Sequence, residues 1–418
     1  MIKASALYLV IIIALIIALL CSSLVVVGFY YRQEYMRKNR SDRLINNLNS
    51  GVTLLLAGND TSYSNRQDYS LYDDGQDSVK LQKSYWGIYD IGIVKAFIQT
   101  DTLSRAFSIA CNVDTTNQPA IYLKDEGSPL AVSGNASITG DAYLPSSGVQ
   151  PAYLDNKGYT GKKQIVNGHI FKSAKVLPAL DSFHLLQLES LFAIQTSVFS
   201  GKLPDTLENS FFMRTRYLNL GQVPRIISHQ KVAGNIVIRC DTSIVIDSTA
   251  ELSDVIIYAR SIVVKSGFRG HCQLFARDSI RVMKDCSFSY PSSLAIIRFE
   301  DFKMDRAPKI RLDSMITLQG AIFTYEKFDN RLKAGVDMGK NVTIEGTVYT
   351  NGEAALNGSS KIFGSIYTGN FAYRANYTYN RNYLVDAEVN PKLRSPYFLI
   401  SPLFPGSSVQ QKILQWLD

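Results

Sequence analysis

The run Asp73-Asp74-Gly75-Gln76-Asp77 is the stretch whose residue types and spacing come nearest to a metal site. Asp73, Asp74 and Asp77 could gather hard oxygens around Ca²⁺, which prefers carboxylate and carbonyl ligands. A full EF-hand loop also needs a Glu at its twelfth position, and counted from Asp73 that position is Ser84. The three aspartates therefore stand as a calcium candidate without a finished loop, and a solvated acidic turn is the simpler explanation. No other cofactor is implied. The histidines His169, His184, His229 and His271 have no metal spacing and no nucleophile motif around them. Glycoside cleavage needs two carboxyl groups a few ångströms apart, but Asp241, Asp247, Glu251, Asp254, Asp278 and Asp285 are spread along the chain. There is no Ser/His/Asp set and no phosphate loop. The expectation is a protein that is not an enzyme and has no catalytic residues.

The elements that must carry these residues announce themselves by repetition. Ser243-Ile244-Val245-Ile246 returns as Ser261-Ile262-Val263-Val264 and again as Ser279-Ile280-Arg281-Val282, 18 positions on each time. Ile344-Glu345-Gly346-Thr347-Val348-Tyr349-Thr350 is echoed at the same interval by Ile362-Phe363-Gly364-Ser365-Ile366-Tyr367-Thr368, with a looser copy at 318–324. Short β-branched strands at a fixed period are the signature of a β-solenoid. Alignment by 18 predicts interior columns Ile238/Ile256/Leu274, Ile244/Ile262/Ile280 and Ile246/Val264/Val282. It sets Arg260 beside Asp278 and Asp247 beside Lys265 on the surface. It also puts Cys240, Cys272 and Cys286 in three columns, opposite Tyr258, Asp254 and Phe268, which predicts buried free thiols rather than disulfides. The same vocabulary opens at 130–144 and recurs at 166–171, with glycine at the corners.

Residues 4–29 form one uncharged apolar run, long enough to cross a bilayer. A cleaved signal would have a shorter apolar core, and three valines follow Cys21. An uncleaved anchor in contact with membrane lipid is expected. Beyond it, Arg32, Arg37, Lys38, Arg40 and Arg43 against Glu34 and Asp42 give residues 30–45 a net charge of +3, part of a total of +8. Such a collar meets lipid headgroups or fixes topology. The remaining charge is scattered and carries no recognition motif, so nucleic acid is not expected as a partner. Leu44, Leu48, Val52 and Leu55 lie on one helical face, which predicts a continuous helix from about residue 5 to 57 with Gly51 as a weak point.

The short leader Met1-Ile2-Lys3, the immediate apolar run, the collar Arg37-Lys38-Asn39-Arg40-Ser41-Asp42-Arg43 and the amphipathic continuation to Leu56-Ala57-Gly58 resemble minor pilins and minor pseudopilins of type IV pilus and type II secretion systems. The chain lacks that family's Gly before a Phe or Met at the processing point, and its Glu five residues into the run. The coils from residue 130 onward resemble bactofilins and related polymer-forming β-helical proteins. These resemblances imply a bacterial inner-membrane protein of single-pass topology, with envelope or pilus and secretion assembly proteins as partners and with room for self-association. The positive-inside rule puts the body in the cytoplasm, whereas the pilin-like reading, which is preferred, puts it outside.

The expected fold class is mainly β. A transmembrane helix and stalk (1–58) lead to a small β region (59–129) and first solenoid coils (130–180). A helical insertion (181–233), with Asp181 as cap and a second segment at 207–217, precedes the main solenoid (234–372). A tail (373–418) ends in an amphipathic helix over 409–417 that caps the last coil or docks a partner. The expected function is a non-enzymatic, membrane-anchored structural or assembly protein. The alternatives are an envelope β-helix that binds or cleaves glycans and a cytoplasmic bactofilin-like scaffold.

Overall fold

The structure, a computed structural model, describes residues 2–58, 67–70, 77–194, 196–199, 203–301, 305–375 and 378–417. It is mainly β, with one long apolar helix at the N-terminus. The chain forms two compact units, residues 1–83 with 92–105 and residues 84–91 with 106–418.

Helix α1 (Ile2–Ala57) dominates the first unit. At 1.5 Å per residue it is about 84 Å long. Every side chain from residue 6 to 39 is exposed, and this segment is long and apolar enough to cross a membrane. The helix then buries the face read from the sequence, Leu44, Leu48, Val52 and Leu55. Its neighbour is the strand Asp77–Trp86, whose Val79 and Leu81 are fully buried. Gly51 has a different role from the expected weak point. A Cβ there would come within 2.6 Å of Val79 Cγ1 and 2.8 Å of Val94 Cγ1, so glycine is what lets the sheet approach the helix backbone. The close packing offsets the roughly 0.5–1 kcal/mol that glycine costs in a helix.

The second unit is built on a closed parallel sheet. Strands Thr206–Asn209, Arg216–Asn219 and Arg225–Ile227 pair with Lys231–Ile246, which is followed by Glu251–Val264 and Arg269–Val282. Next come Ser287–Arg298 with Lys309–Leu312, Thr317–Glu326 with Gly335–Met338, then Thr343–Leu356 and Lys361–Ala375. The order then jumps back in the chain. Ile121–Leu123 pairs with Lys361–Ala375, Ala142–Leu144 with Ile121–Leu123, and Ile170–Lys172 with Ala142–Leu144. The coils expected at 130–180 and 234–372 are therefore not two blocks divided by an insertion. They enclose one apolar core, which runs from Ala120 and Val166 through Ile262 to Val389.

Ile244, Ile262 and Ile280 stand opposite one another, as do Ile246, Val264 and Val282. Burying each contributes about 1.5–3 kcal/mol. The third expected column is wrong. Irregularities after Ala233 and Cys240, and in the next pair after Ser253 and Ala259, set Ile238 opposite Ile257, and Ile257 opposite Leu274. They also set Cys240 opposite Ala259, and Cys272 opposite Val255; all five cysteines are free. Nor is the interval uniform. It is 18 from Ile344 to Ile362, but 30 from Ile280 to Ile310 and 26 from Thr317 to Thr343. Ser292, Gly320, Gly346 and Gly364 also align. Gly346 has φ +145°, and a Cβ on it would lie 1.8 Å from the Gly320 carbonyl oxygen.

Because Ile170–Lys172 lies at one end of the stack and Thr206 at the other, residues 173–194 run along its side. The distance is roughly ten strand spacings, about 48 Å. Helix α2 (Ser182–Ala193) belongs to this strap, capped as expected by Asp181, whose Oδ1 accepts from His184 N at 2.9 Å. The second expected segment of the insertion, 207–217, holds strand residues of the first layer. The strap and the segment near Phe404 cover an outward aromatic row. Phe171, Tyr143, Tyr122, Tyr367 and Tyr349 follow one another at centroid distances of 5.0, 5.2, 6.1 and 6.0 Å. Pro178 O accepts from Tyr349 Oη at 3.0 Å, and Phe404 meets Phe323 edge-on at 5.4 Å. The expected C-terminal helix is a strand, Ser407–Trp416, antiparallel to Asp101–Val113. Apolar residues at 409, 413, 416 and 417 suit a helix, but an open strand edge offers a row of backbone partners, and tertiary pairing overrides local pattern.

Candidate functional site

The residues singled out for chemistry do not converge. Asp73 and Asp74 lie outside the described residues. Asp77 is buried in the first unit, where its Oδ2 accepts from Arg43 Nη2 at 2.7 Å and Asn47 Nδ2 at 3.2 Å. Arg43 and Asn47 are one helical turn apart, so this carboxylate ties helix to strand. Among the described residues no group of three His, Cys, Asp or Glu side chains is placed to hold a metal ion. Three of the four histidines each face a carboxylate on a different element. His169 Nδ1 lies 3.3 Å from Asp141, His271 Nε2 3.2 Å from Asp254, and His184 bridges Asp181 (2.6 Å) and Asp90 (3.2 Å). His229 sits at φ +63°, its backbone N–H donating to Thr249 Oγ1.

The second unit does contain a built cleft, of about 410 Å³. One wall is the last turn of α2, with Glu189, Phe192 and Ala193. The floor is formed where strands Lys231–Ile246, Glu251–Val264 and Arg269–Val282 turn outward, and the far wall is residues 297–300. An arginine stands at this corner on four successive layers: Arg239, Arg260, Arg277 and Arg298. Their guanidinium groups are held in fixed orientations. Arg260 Nε donates to Asp278 Oδ2 at 2.6 Å, and Arg277 Nε donates to Asp278 Oδ1 at 3.4 Å. Arg239 donates through Nε to Asp241 at 3.2 Å and through Nη1 to Phe192 O at 2.9 Å. Arg298 pairs with Glu326 at 3.0 Å, and both side chains are almost fully buried. The Phe192 ring stacks on Tyr258 at 4.2 Å and 9°. Burial raises the Tyr258 phenol above its ordinary pKa, against the opposing pull of Arg277 and Arg239, which keeps it a neutral hydrogen-bonding group.

A second cleft, of about 460 Å³, lies further along the strap between Leu177, Leu180 and Leu185 on one side and Tyr325, Tyr349, Asp329 and Lys333 on the other. The two clefts share an origin. Each lies where the strand interval exceeds 18, the first beside the extra residues between Ile280 and Ile310, the second beside those between Thr317 and Thr343. Residues beyond what the layer needs emerge from the stack, and the strap supplies the facing wall.

Of the carboxylates named from the sequence, only Asp241 and Asp278 belong to the first cleft, one as lining and one as the anchor of two arginines. The Arg260–Asp278 pair is the expected one, and its arginine lines the cleft. Two signals could have found the cleft: an arginine ending four successive strand phrases, and the stretched interval after Ile280. No known protein family, curated protein or solved structure matches this chain.

Proposed function

We propose that this chain is a non-enzymatic, membrane-anchored structural or assembly protein of the cell envelope, whose β-solenoid head docks other envelope proteins. The observation that carries this reading is helix α1. From residue 6 to 39 no side chain is buried, and through Phe29 that surface is apolar. An exposed apolar surface of this size calls for a bilayer or for partner helices. Tyr30, Tyr31 and Tyr35 follow the apolar run and lie in the first part of the basic collar, where aromatic rings are expected at a membrane interface. The stacked layers supply a rigid frame, and its coils carry the docking surfaces. The pilin-like layout of the first 58 residues favours a body outside the inner membrane.

Two measurements test this. A cysteine introduced at exposed Ser147 should react with an impermeant maleimide in intact spheroplasts; reaction only after lysis would place the body inside and favour a cytoplasmic scaffold. Cross-linking in cells followed by purification should recover defined envelope partners, and consistent recovery of a lone monomer would refute the assembly role.

A further inference from the structure

We infer that the open end layer of the stack accepts an extended acidic strand of a partner protein, added in parallel to Ile170–Lys172. This deepens the docking reading and rests on it. The two ends of the stack differ. At one, the core-side residues Leu207, Leu218 and Ile227 are buried. At the other, Ile170 stands opposite Ala142 and Lys172 opposite Leu144. Ala142 and Leu144 belong to the core, so Ile170 and Lys172 lie on the core side of the layer. Yet Ile170 is 52% exposed and Lys172 is exposed too. Among the described residues no strand covers them. Their backbone is open as well. His169 O accepts from Ala142 N at 2.9 Å, and Ser173 N donates to Leu144 O at 2.8 Å. In a parallel ladder alternate residues bond to the same neighbour, so Ile170 and Lys172 turn their N–H and C=O groups to the outer edge. Such an edge takes an added strand through main-chain hydrogen bonds, with side chains choosing the sequence.

Lys172 decides the charge of that strand. A strand laid on this edge removes water from its ammonium group, and a covered ammonium needs a carboxylate partner. None is present: Lys162, Lys163, Lys172 and Lys175 are all exposed and form no ion pair with a described residue. The carboxylates of this end are engaged elsewhere, Asp141 with His169, Asp155 with Tyr373, and Asp125, which feels Lys175, with Ser146 and Gly127. Opposite Ile170 an apolar side chain fits. Opposite Phe171, which continues the row of Tyr143 and Tyr122, an aromatic one fits. The matching sequence is therefore apolar, aromatic, acidic, with further carboxylates for the neighbouring lysines. Two copies of this chain meeting at this layer would set lysine against lysine, the device by which open edges avoid pairing with themselves.

Saturation-transfer NMR against the full-length chain in detergent micelles, with empty micelles as the blank, tests this with the peptide Glu-Glu-Val-Tyr-Glu-Glu. It should bind with a Kd below about 1 mM, and Lys-Lys-Val-Tyr-Lys-Lys should bind at least about tenfold more weakly. In parallel register the tyrosine amide donates to Ile170 O, and the amide of the next residue faces away. N-methylation of the tyrosine amide should therefore weaken binding about tenfold, and N-methylation of the following glutamate amide should leave it unchanged. Lys172→Glu should lower the affinity about tenfold or more and narrow the preference between the two peptides. Lys284→Glu, at an exposed site elsewhere, should bind as the parent does. Should Lys172→Glu fail to fold, Ile170→Pro, which removes an outward N–H, carries the same loss. Equal binding of the two peptides, equal effects of the two methylations, or full binding by Lys172→Glu would each overturn the proposal. If the acidic peptide does not bind while cross-linking in cells still recovers partners, this edge is refuted and the docking role stands.

Discussion

Replacing Phe192 by alanine should open the strap while leaving the stack closed. Phe192 is 7% exposed, stacks on Tyr258 at 4.2 Å and tilts against Phe275 at 5.1 Å. Truncating a buried phenylalanine costs about 3–5 kcal/mol, of which the ring pairings account for about 0.5–1.5 kcal/mol each. The interior rows do not feel this loss directly, since Ile238, Ile257 and Leu274 belong to the enclosed core whereas Tyr258 and Phe275 face the strap. The cost therefore falls on the opening equilibrium of residues 182–193. At about 1.4 kcal/mol per decade, amide exchange there should speed up by roughly two to three and a half orders of magnitude. Strands 244–246 and 262–264 should keep their protection, because segments open in separate cooperative steps. Phe192→Leu retains most of the apolar area and should show roughly a tenfold rise. Exchange measured by mass spectrometry distinguishes the cases. Unchanged protection over 182–193, or a uniform loss across strap and strands, would refute the assignment of Phe192 as the strap's anchor.

Ile262→Ala, in the middle of the Ile244/Ile262/Ile280 row, should lose about 2–5 kcal/mol in chemical denaturation; a loss below about 1 kcal/mol would mean that the row is not packed as described. Gly346→Ala should destabilise at least as much or abolish folding, because its Cβ meets backbone at 1.8 Å, and Gly358→Ala, facing the flexible Lys340 side chain, should be milder; circular dichroism on heating ranks the two. Burial disfavours the protonated form of His184, but its hydrogen bonds and charges with Asp90 and then Asp181 prevail and raise its pKa above 6.5. The hydrogen bond to Asp254 raises that of His271, against burial. Groups with raised folded-state values contribute full stability below about pH 6.5 and lose it as pH climbs through those values. Melting temperature should therefore fall above about pH 6.5, and fall less steeply in His184→Gln; identical pH profiles would remove His184 from the account.

What can be read from residues alone is whatever local periodicity encodes. Leu44, Leu48, Val52 and Leu55 share a helical face, and that face is buried. Ser243, Ser261 and Ser279 stand opposite one another in adjacent strands. Asp181 begins α2 because a carboxylate suits the unpaired N–H groups of a helix end. Gly51 reads as a flaw in the helix because the cost of glycine there is local, while its benefit, room for Val79 and Val94, depends on partner strands. The order of layers is hidden for a related reason. Rows of Ile and Val fit one another in any order, so nothing in Ile121–Leu123 says that its neighbour is Lys361–Ala375. A better clue is the outward tyrosine at the centre of each phrase, in Ile121-Tyr122-Leu123, Ala142-Tyr143-Leu144, Val348-Tyr349-Thr350 and Ile366-Tyr367-Thr368. Those tyrosines form the row that the strap covers.

The jump in layer order has a structural consequence. A chain that stacked its layers in simple succession would need no return path, and its outer aromatic row would face water. Here the first-made layers close one end, and the chain must cross the whole side to begin the other. That crossing covers Tyr349 and Tyr258 and brings Glu189 to Lys327 at 2.7 Å. It faces the places where the strand interval stretches to 30 and 26. Neither the stretched layers nor the strap would enclose a cleft alone, since one side of each would lie open. The closed parallel sheet supplies rigidity, and the longer connections beside it supply concave surface. A function that needs selective contact is therefore expected on the strap side, where substitutions that leave the interior rows intact can still change what the protein holds.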